Sequence, residues 1–243
     1  MKEITSINNE FIKKISKLKE KKERYKNNEF LIEGYHLVEE AIKANVLKFV
    51  LTNNPKDRYN VETYLVTDEI IKKLSSTTTP QGIIGVCKIN NNKELLGNKF
   101  LVLDNVNDPG NVGTLIRSSL GFGIDTIILS NESVDIYNEK VIRATQGGIF
   151  NINIVYGDLK KAILELKEKE VTIIGTSLQS CVNLKEVNAF KKYAIVLGNE
   201  ANGVSKEILD LTDINVRIEM KEKLESLNVA VAGSIVMYYL YTK

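Results

Sequence analysis

The stretch FLVLDNVNDPGNVGTLIRSSLGFGIDTIIL, residues 100–129, decides the fold class. Its apolar ends predict strands near residues 100–103 and 126–129, and the segment between them predicts a helix. Asp108-Pro109-Gly110 is a turn signal, and Asn111 is of a residue type that caps helices. A strand, a helix and a second strand in this order are typical of parallel α/β sheets.

The same alternation continues toward the carboxyl terminus. Further apolar strands are predicted near residues 171–175, 194–197 and 214–218, with helical stretches between them. This pattern indicates a parallel sheet that helices cover on both faces. Ligands of such sheets bind outside the carboxyl ends of the strands. We therefore expect the chemistry in the loops that follow these strands.

The first 90 residues form a different unit. Short strands and helices predicted over residues 30–87 indicate a small mixed α/β domain, and the polar segment 90–99 is a predicted linker. Residues 1–26 carry nine Lys/Arg against four Asp/Glu, which favours a polyanionic partner; a solvated helix face is the alternative. The apolar residues that predict one amphipathic helix with outward lysines are Ile4, Ile7, Phe11, Ile15 and Leu18.

Composition excludes several classes of protein. Cys87 and Cys181 lie far apart in the sequence, which argues against a disulfide scaffold or a zinc site and fits a reducing cytoplasm. His36 is the one histidine, so His-based triads and His-rich metal sites are excluded. The apolar run Leu227–Tyr241 is too short for a membrane span and predicts a fully buried helix. We expect a soluble, cytoplasmic protein without a metal.

The loop after the strand near 194–197 has the sequence GNEANGVS, residues 198–205. It has the glycine spacing of a P-loop, but Val204 stands where the lysine should be, and Glu200 adds a negative charge where phosphates would lie. Nucleotide hydrolysis is therefore not expected. Both a close approach of the backbone to a ligand and a simple turn explain the glycines.

The other two loops also contain polar candidates. Arg117 follows Asn111 by six residues, and we place both near the amino-terminal end of one helix, which attracts phosphate; an exposed surface arginine is the alternative. Ser226 is a predicted helix N-cap. Asn228 is predicted to be buried at the start of an apolar helix, where it has either a structural partner or a ligand.

In order, these loops resemble the motifs of the SpoU (TrmH) family of the SPOUT superfamily, which are RNA 2′-O-ribose methyltransferases. The first motif is matched as N-x-x-D-P-x-N-x-G-x-x-x-R at residues 105–117. The second is matched as LGNE at 197–200 with GVS at 203–205, and the third as I-x-M at 218–220 with SLNV at 226–229. The family usually has proline where this chain has Glu219.

The resemblance covers nearly the whole chain. Arg143 and residues 147–150 are similar to an intermediate segment of the family. EFLIEGYHLVEEA at 29–41 and Pro80-Gln81-Gly82 are similar to the substrate-binding domain that precedes many members. The implied domains are an RNA substrate-binding domain at 1–92, with the basic helix, and a SPOUT methyltransferase domain at 98–243.

The resemblance also implies the fold and the partners of the second domain. It implies a parallel α/β sheet whose end is threaded into a trefoil knot, in a homodimer with the cofactor pocket beside the interface. S-adenosylmethionine is the implied cofactor, and no metal is needed. The residues implied to hold the cofactor through backbone groups are Thr176, Leu197, Gly198, Ile218, Met220 and Leu227.

The implied catalytic residue is Arg117, which the family uses to activate the ribose 2′-hydroxyl. A guanidinium stays protonated at ordinary pH, so binding the adjacent phosphate and orienting the ribose is an equally economical role. The residues implied to position groups around it are Asn111, Glu200, Ser226 and Asn228. The preceding substrate domain favours rRNA as the substrate. A tRNA enzyme, a drug-resistance enzyme acting on rRNA and a catalytically silent RNA-binding protein are the alternatives, and the intact motifs favour an enzyme.

Overall fold

The computed structural model describes residues 1–178, 181–221 and 226–243. Their contacts divide the chain into two units, residues 1–91 with 135–150, and residues 92–134 with 151–243. The sequence predicted one boundary between the two domains and did not predict that residues 135–150 pack in the first unit. The domain bounds 1–92 and 98–243 stay a prediction.

The helices and strands follow one another closely along the chain. Within the described residues the order is β1 (Lys2–Ile4), α1 (Glu10–Ser16), α2 (Lys21–Asn27), β2 (Glu29–Glu33), α3 (Tyr35–Lys43), β3 (Leu47–Thr52), β4 (Glu62–Val66), α4 (Asp68–Leu74), β5 (Ile83–Lys88), β6 (Lys99–Asp104), α5 (Pro109–Gly121), β7 (Thr126–Ser130), α6 (Glu139–Thr145), β8 (Asn153–Gly157), α7 (Leu159–Glu168), β9 (Thr172–Thr176), β10 (Val182–Asn183), β11 (Tyr193–Gly198), α8 (Lys206–Leu209), β12 (Ile214–Arg217) and α9 (Val229–Tyr241).

The first unit contains a mixed sheet with the strand order β1-β4-β3-β5-β2. β4 is parallel to β1 and β3, whereas β5 is antiparallel to β3 and β2. Side chains of α1, α4 and the sheet form its core, which includes Ile12, Ile15, Leu51 and Ile70. The predicted mixed α/β unit is therefore confirmed.

The amino-terminal arm, residues 1–26, is not the single amphipathic helix that the sequence predicts. Its first residues pair as β1 with β4, and α1 begins only after Asn9, whose side-chain oxygen accepts the Phe11 N–H at 2.9 Å. A 3₁₀ turn at Lys17–Lys19 then separates α1 from α2. Helical spacing identified the buried residues Ile15 and Leu18, but strand pairing and a cap decided where the helix begins.

The second unit contains a seven-stranded sheet in which every pairing is parallel, in the order β10-β12-β9-β11-β6-β7-β8. α7 and α8 pack on one face, against a core that includes Val102 and Val196. α5 and α9 pack together on the opposite face, where Gly233 lets Leu197 approach the helix backbone. The predicted fold class is confirmed, and the trefoil knot stays a prediction.

α9 differs from the fully buried helix that the sequence predicts. Ala230, Gly233 and Val236 are buried, but Tyr238 and Tyr241 are more than half exposed. One apolar face of this helix is therefore uncovered in the single chain. In the described part of the chain, we find no helix whose length and apolar character would let it cross a membrane.

A buried ion pair holds residues 135–150 in the first unit. The Nε of Arg24 donates to the Oδ2 of Asp135 at 3.1 Å, and both side chains are about 95% buried. The guanidinium also donates to the carbonyl oxygens of Leu18 and Lys19, at 3.1 and 2.7 Å. The Tyr25 hydroxyl donates to the other carboxylate oxygen at 3.0 Å, and burial together with this carboxylate raises the pKa of Tyr25.

We predict that Asp135→Asn destabilises the first unit by about 3 kcal/mol or more, because it leaves a buried guanidinium without its counter-charge. Urea unfolding, with hydrogen exchange in β2 and β5 to locate the effect, would measure it. Lys2→Gln is the control, because it breaks the exposed pair with Glu62 and should change little. Equal stabilities of Asp135→Asn and the unaltered protein would contradict the prediction.

Candidate active site

The first of the three loops joins β6 to α5, and its helix begins differently from the prediction. Asp108, not Asn111, is the N-cap, and its Oδ1 accepts the Asn111 N–H at 2.8 Å. Pro109 explains the difference, because proline lacks an N–H and is favoured in the first turn, directly after the cap. Asn111 therefore lies inside the first turn, and its side chain is available for other contacts.

The second loop follows β11 and brings Glu200 to the start of α5. Asn199 and Gly203 exchange two backbone hydrogen bonds of 2.9 Å, which close a tight loop around Glu200. The Glu200 carboxylate accepts hydrogen bonds from the Asn111 side chain at 3.0 Å and from the backbone N–H of Asp108 at 3.1 Å. A carboxylate is favourable at this position, because a helix amino terminus carries a partial positive charge.

The third loop ends at Asn228, which is the N-cap of α9. Its Oδ1 accepts the N–H groups of Ala230 and Val231, at 2.9 and 3.3 Å. Its Nδ2 donates to the Asn111 side chain at 2.9 Å. The prediction of Ser226 as the cap was wrong by two residues. The prediction that Asn228 is buried was also wrong, because its side chain is exposed.

Asn111 is thus the central member of a hydrogen-bond chain that joins the three motifs. It accepts from Asn228 and donates to Glu200. Burial raises the pKa of the Glu200 carboxyl, but hydrogen bonds from Asn111 and from backbone N–H groups outweigh it, so the pKa lies below its ordinary value. Glu200 is therefore an ionised acceptor at neutral pH.

Arg117 and Ser226 do not join this chain of hydrogen bonds. Both side chains are exposed, and neither forms a hydrogen bond or an ion pair with a residue of 1–178, 181–221 or 226–243. Arg117 lies in the third turn of α5, so the expectation that it sits at the amino-terminal end of the helix was wrong. Its guanidinium is free to bind an anion.

The residues expected to hold the cofactor follow three neighbouring strands, β12, β9 and β11, whose carboxyl ends meet at one edge of the sheet. Thr176 ends β9, and its hydroxyl donates to the Val196 carbonyl at 2.9 Å. Leu197 and Gly198 are the buried end of β11. Ile218 and Met220 follow β12, and Leu227 precedes α9.

The backbone at this edge fits a ligand with several polar groups. The main-chain groups of Met220 and Leu227 form no hydrogen bond with any residue that the structure describes. Such free donors and acceptors are what the adenine and amino-acid parts of S-adenosylmethionine would need. A side chain at Gly198 would collide with the second loop, because its Cβ would lie 2.0 Å from the Val204 nitrogen.

Two side chains to which the sequence assigned no individual role, Asn199 and Asp104, also connect the loops. The Asn199 side chain donates to the Asn105 carbonyl at 2.9 Å, and Asp104 accepts the Ser205 N–H at 2.7 Å. Asn105 adopts a left-handed backbone with φ of 57°, which asparagine tolerates better than most residues. Asn105 is the first residue of the first motif, and this position was the sequence signal that could have identified it.

Two cavities formed by described residues are lined by other side chains than the expected cofactor residues. A hollow of about 370 Å³ lies beside the ends of β6 and β8, and its carboxylates make it a poor phosphate site; they include Asp104, Glu132, Asp158 and Glu207. A cavity of about 290 Å³ lies in the first unit. Among the described residues, no three His, Cys, Asp or Glu side chains are grouped as metal ligands.

Comparisons with known proteins find relatives for both parts of the chain. Residues 9–85 match the MRM3-like substrate binding domain. The chain is 39% identical over 246 residues to the 23S rRNA (guanosine(2553)-2′-O)-methyltransferase RlmP of Bacillus subtilis (strain 168), with 99% of both chains covered.

Two solved structures differ in how much of the chain they match. The AdoMet-bound rRNA methyltransferase from Sinorhizobium meliloti has a TM-score of 0.89 and 26% identity, covering 99% of this chain and 97% of its own. The TrmH/SpoU tRNA modifying enzyme of A. aeolicus has a TM-score of 0.54 and 26% identity, covering 62% of this chain and 77% of its own.

The match to a family model covers more than half of the chain and coincides with the second unit's sheet and all three loops. Residues 98–238 fit this model, and they include the chain of hydrogen bonds from Asn228 through Asn111 to Glu200. The protein is a member of the SpoU rRNA Methylase family.

Proposed function

We propose that the protein methylates the ribose 2′-hydroxyl of a guanosine in 23S rRNA. The reaction class follows from the family: the protein is an S-adenosylmethionine-dependent RNA ribose 2′-O-methyltransferase. The observation that carries the assignment of the site is the hydrogen-bond chain of Asn228, Asn111 and Glu200, at the edge where the expected cofactor residues lie. The choice of RNA is supported by the relative from Bacillus subtilis, which matches the full length.

The proposed mechanism relies on positioning. The cofactor, when bound, supplies a methyl group that its sulfonium already activates. Asn111 is fixed on both sides, by Glu200 and Asn228, and provides a preset polar group at the start of α5. Arg117 binds the phosphate next to the target ribose and orients the 2′-hydroxyl, because a protonated guanidinium is a poor base. Correct placement of two reactants can supply much of the reduction in the barrier.

The tRNA alternative is less well supported. The tRNA modifying enzyme aligns with 62% of this chain, whereas the rRNA methyltransferases align with 99% of it, including the first unit. We infer that the first unit is the part that selects rRNA. A reducing cytoplasm is the proposed location, which fits the two free cysteines.

We predict that Arg117→Ala reduces methyl transfer to 23S rRNA at least 100-fold while RNA affinity changes little, since one cation among many contributes little to binding. Transfer of labelled methyl would be measured with RNA from cells that lack the protein, and the modified nucleotide would be mapped. Calorimetry in chelator should show one S-adenosylmethionine per subunit, with or without Arg117. Full activity of Arg117→Ala would refute its role, and methylation of tRNA alone would refute the substrate.

The arm's contribution to RNA binding is smaller than its composition suggests. Arg24 is buried in its ion pair, and Lys19 donates to the carbonyl oxygens of Lys73 and Ser75. Two more lysines are paired with Glu62 and Glu10. Five exposed lysines of the arm have side chains that form no hydrogen bond or ion pair within the described residues; they are Lys14, Lys17, Lys21, Lys22 and Lys26. We propose that these five bind RNA phosphates.

We predict that the triple variant Lys14→Gln, Lys17→Gln and Lys21→Gln makes the plot of log affinity against log salt concentration shallower by about 2 to 3 units of slope, because each lost phosphate contact removes about 0.7 to 0.9. S-adenosylmethionine binding should be unchanged. Deleting residues 1–26 is a poor test, because Ile12 and Ile15 belong to the core.

The matched control for this variant removes three lysines that are already in ion pairs, Lys2, Lys13 and Lys43. Filter binding at several salt concentrations compares the two triple variants. If both flatten the slope equally, the effect reflects net charge and not contacts of the unpaired lysines.

We also propose that the protein is a homodimer that pairs through α9. Four apolar side chains on one side of this helix are exposed by 38–57% in the single chain; they are Val231, Ile235, Tyr238 and Tyr241. The ring of Phe122 extends the patch, 5.6 Å from the ring of Tyr238. A contiguous apolar patch of this kind favours burial against a second copy.

We predict that the double variant Ile235→Lys and Tyr238→Lys is a monomer in light scattering at micromolar concentration, because four like charges would face one another across the interface. Leu164→Lys on α7 is the control, since Leu164 is exposed to a similar degree outside this patch and should leave the dimer intact. A monomeric mass for the unaltered protein would refute the proposal.

A further inference from the structure

The cavity of about 290 Å³ in the first unit has an apolar floor and a cationic rim. Leu37 and Ile142, both buried, and Leu31 form part of the floor. Its rim carries Lys19, Ser76 and Arg143. This volume is close to the lower end of the range of small-molecule sites, which is about 300 Å³. The cavity can therefore hold one small group of mixed polarity.

Arg143 is the rim residue with the most unused hydrogen-bonding capacity. It projects from α6, and its Nη1 donates to the Ser76 hydroxyl at 3.2 Å. It forms no ion pair within the described ranges, and its other N–H groups have no partner there. A guanidinium has five N–H donors in a planar fork that suits phosphate oxygens. Its unmet donors at the wall of a cavity therefore indicate an anionic ligand.

Lys19 adds a second positive charge that is held in place. Its ammonium donates to the carbonyl oxygens of Lys73 at 2.8 Å and Ser75 at 2.7 Å. An ammonium has three donors, so one remains for a ligand. Lysine, arginine and serine are among the side chains that contact nucleic-acid phosphates. The rim thus presents a set of hydrogen-bond donors that suits one phosphate.

The two acidic residues at the cavity limit where the phosphate can lie. Glu33 accepts from the hydroxyls of Ser75 and Thr77, both at 2.7 Å, and from the Ser76 N–H at 3.2 Å. Its carboxylate is therefore engaged in shaping the loop that carries Ser76. Glu139 lies one turn before Arg143 on α6. The anion should bind away from Glu139, on the side of Lys19 and Ser76.

We infer that this cavity binds one unpaired nucleotide of the RNA substrate. The base lies on the apolar floor, and its phosphate is bound by Arg143, Lys19 and Ser76. Unpaired RNA segments present unstacked bases, and proteins that bind such bases hold them between aromatic or apolar side chains. The inference rests on the proposed function, because it assigns the first unit a specific contact with the same RNA.

Two variants of the full chain test this inference. Arg143→Gln removes the charge and most of the donors, and Ser76→Trp fills the rim from an exposed position where the fold tolerates a larger side chain. The probe is a single-stranded oligoribonucleotide with a central 2-aminopurine, whose fluorescence reports on unstacking and burial. Both variants should weaken its binding about tenfold or more, because charge-assisted hydrogen bonds and the base's site are lost.

Arg58→Gln is the matched control, because Arg58 is an exposed arginine of the same unit whose guanidinium, within the described ranges, donates to just the carbonyls of Pro55 and Asp57. The affinity of Arg58→Gln for the probe should lie within about twofold of that of the unaltered protein, since this variant loses the same charge at a position away from the cavity. Thermal unfolding of each variant checks the fold, and Ser76→Trp keeps the test informative if Arg143→Gln does not fold.

The outcomes separate this inference from the proposed function. With 23S rRNA, Arg143→Gln should raise KM for RNA and leave kcat and S-adenosylmethionine affinity unchanged. Unaltered probe binding by both variants would overturn the cavity as a nucleotide site, even if methyl transfer is intact. Free adenosine monophosphate that binds as tightly as the probe would overturn RNA as the source of the nucleotide. A wild-type protein without methyltransferase activity would instead refute the proposed function.

Discussion

The site depends on the hydrogen bonds that the Glu200 carboxylate accepts at the start of α5. Glu200 is contributed by the loop after β11, whereas its donors Asn111 and Asp108 lie about 90 positions earlier in the sequence. They can meet because β11 lies beside β6 in a parallel sheet, so the two strands end at the same edge. Hydrogen bonds to a charged group are stronger than those between neutral groups, and several of them on one carboxylate link the two irregular loops.

Most strands of the second unit's sheet were predictable from the sequence, whereas the starts of α1, α5 and α9 were not. Strands such as β11 are apolar on both faces, and this signal does not depend on distant contacts. β8 and β10 were not predicted: β8 has a short apolar stretch between Asn153 and Gly157, and β10 has two residues. At the helix starts, several residues of capping type compete within a few positions, and Pro109 and the bond between Asn228 and Asn111 decided between them.

The arm shows what charge patterns leave undetermined. Its count of nine cations is correct, yet one of them, Arg24, pairs with Asp135, more than 100 residues away. No local pattern could reveal this partner, because it depends on residues 135–150 packing in the first unit. The candidate site has the same limit. Motifs identified Asn111, Glu200 and Asn228, but only the fold shows that Asn111 is held by the other two, while Arg117 has no hydrogen-bond partner among the described residues.

α9 connects the site to the proposed assembly. Its first turn is capped by Asn228, which also holds Asn111, and its buried side packs on α5 through a 2.8 Å hydrogen bond between the hydroxyls of Ser118 and Ser234. Its opposite side carries the exposed apolar patch. A second copy bound to that patch would restrain α9 along its length. Because Asn228 is fixed to the same helix, pairing would also restrain the Asn111 side chain, and a rigid site is what a mechanism based on positioning requires.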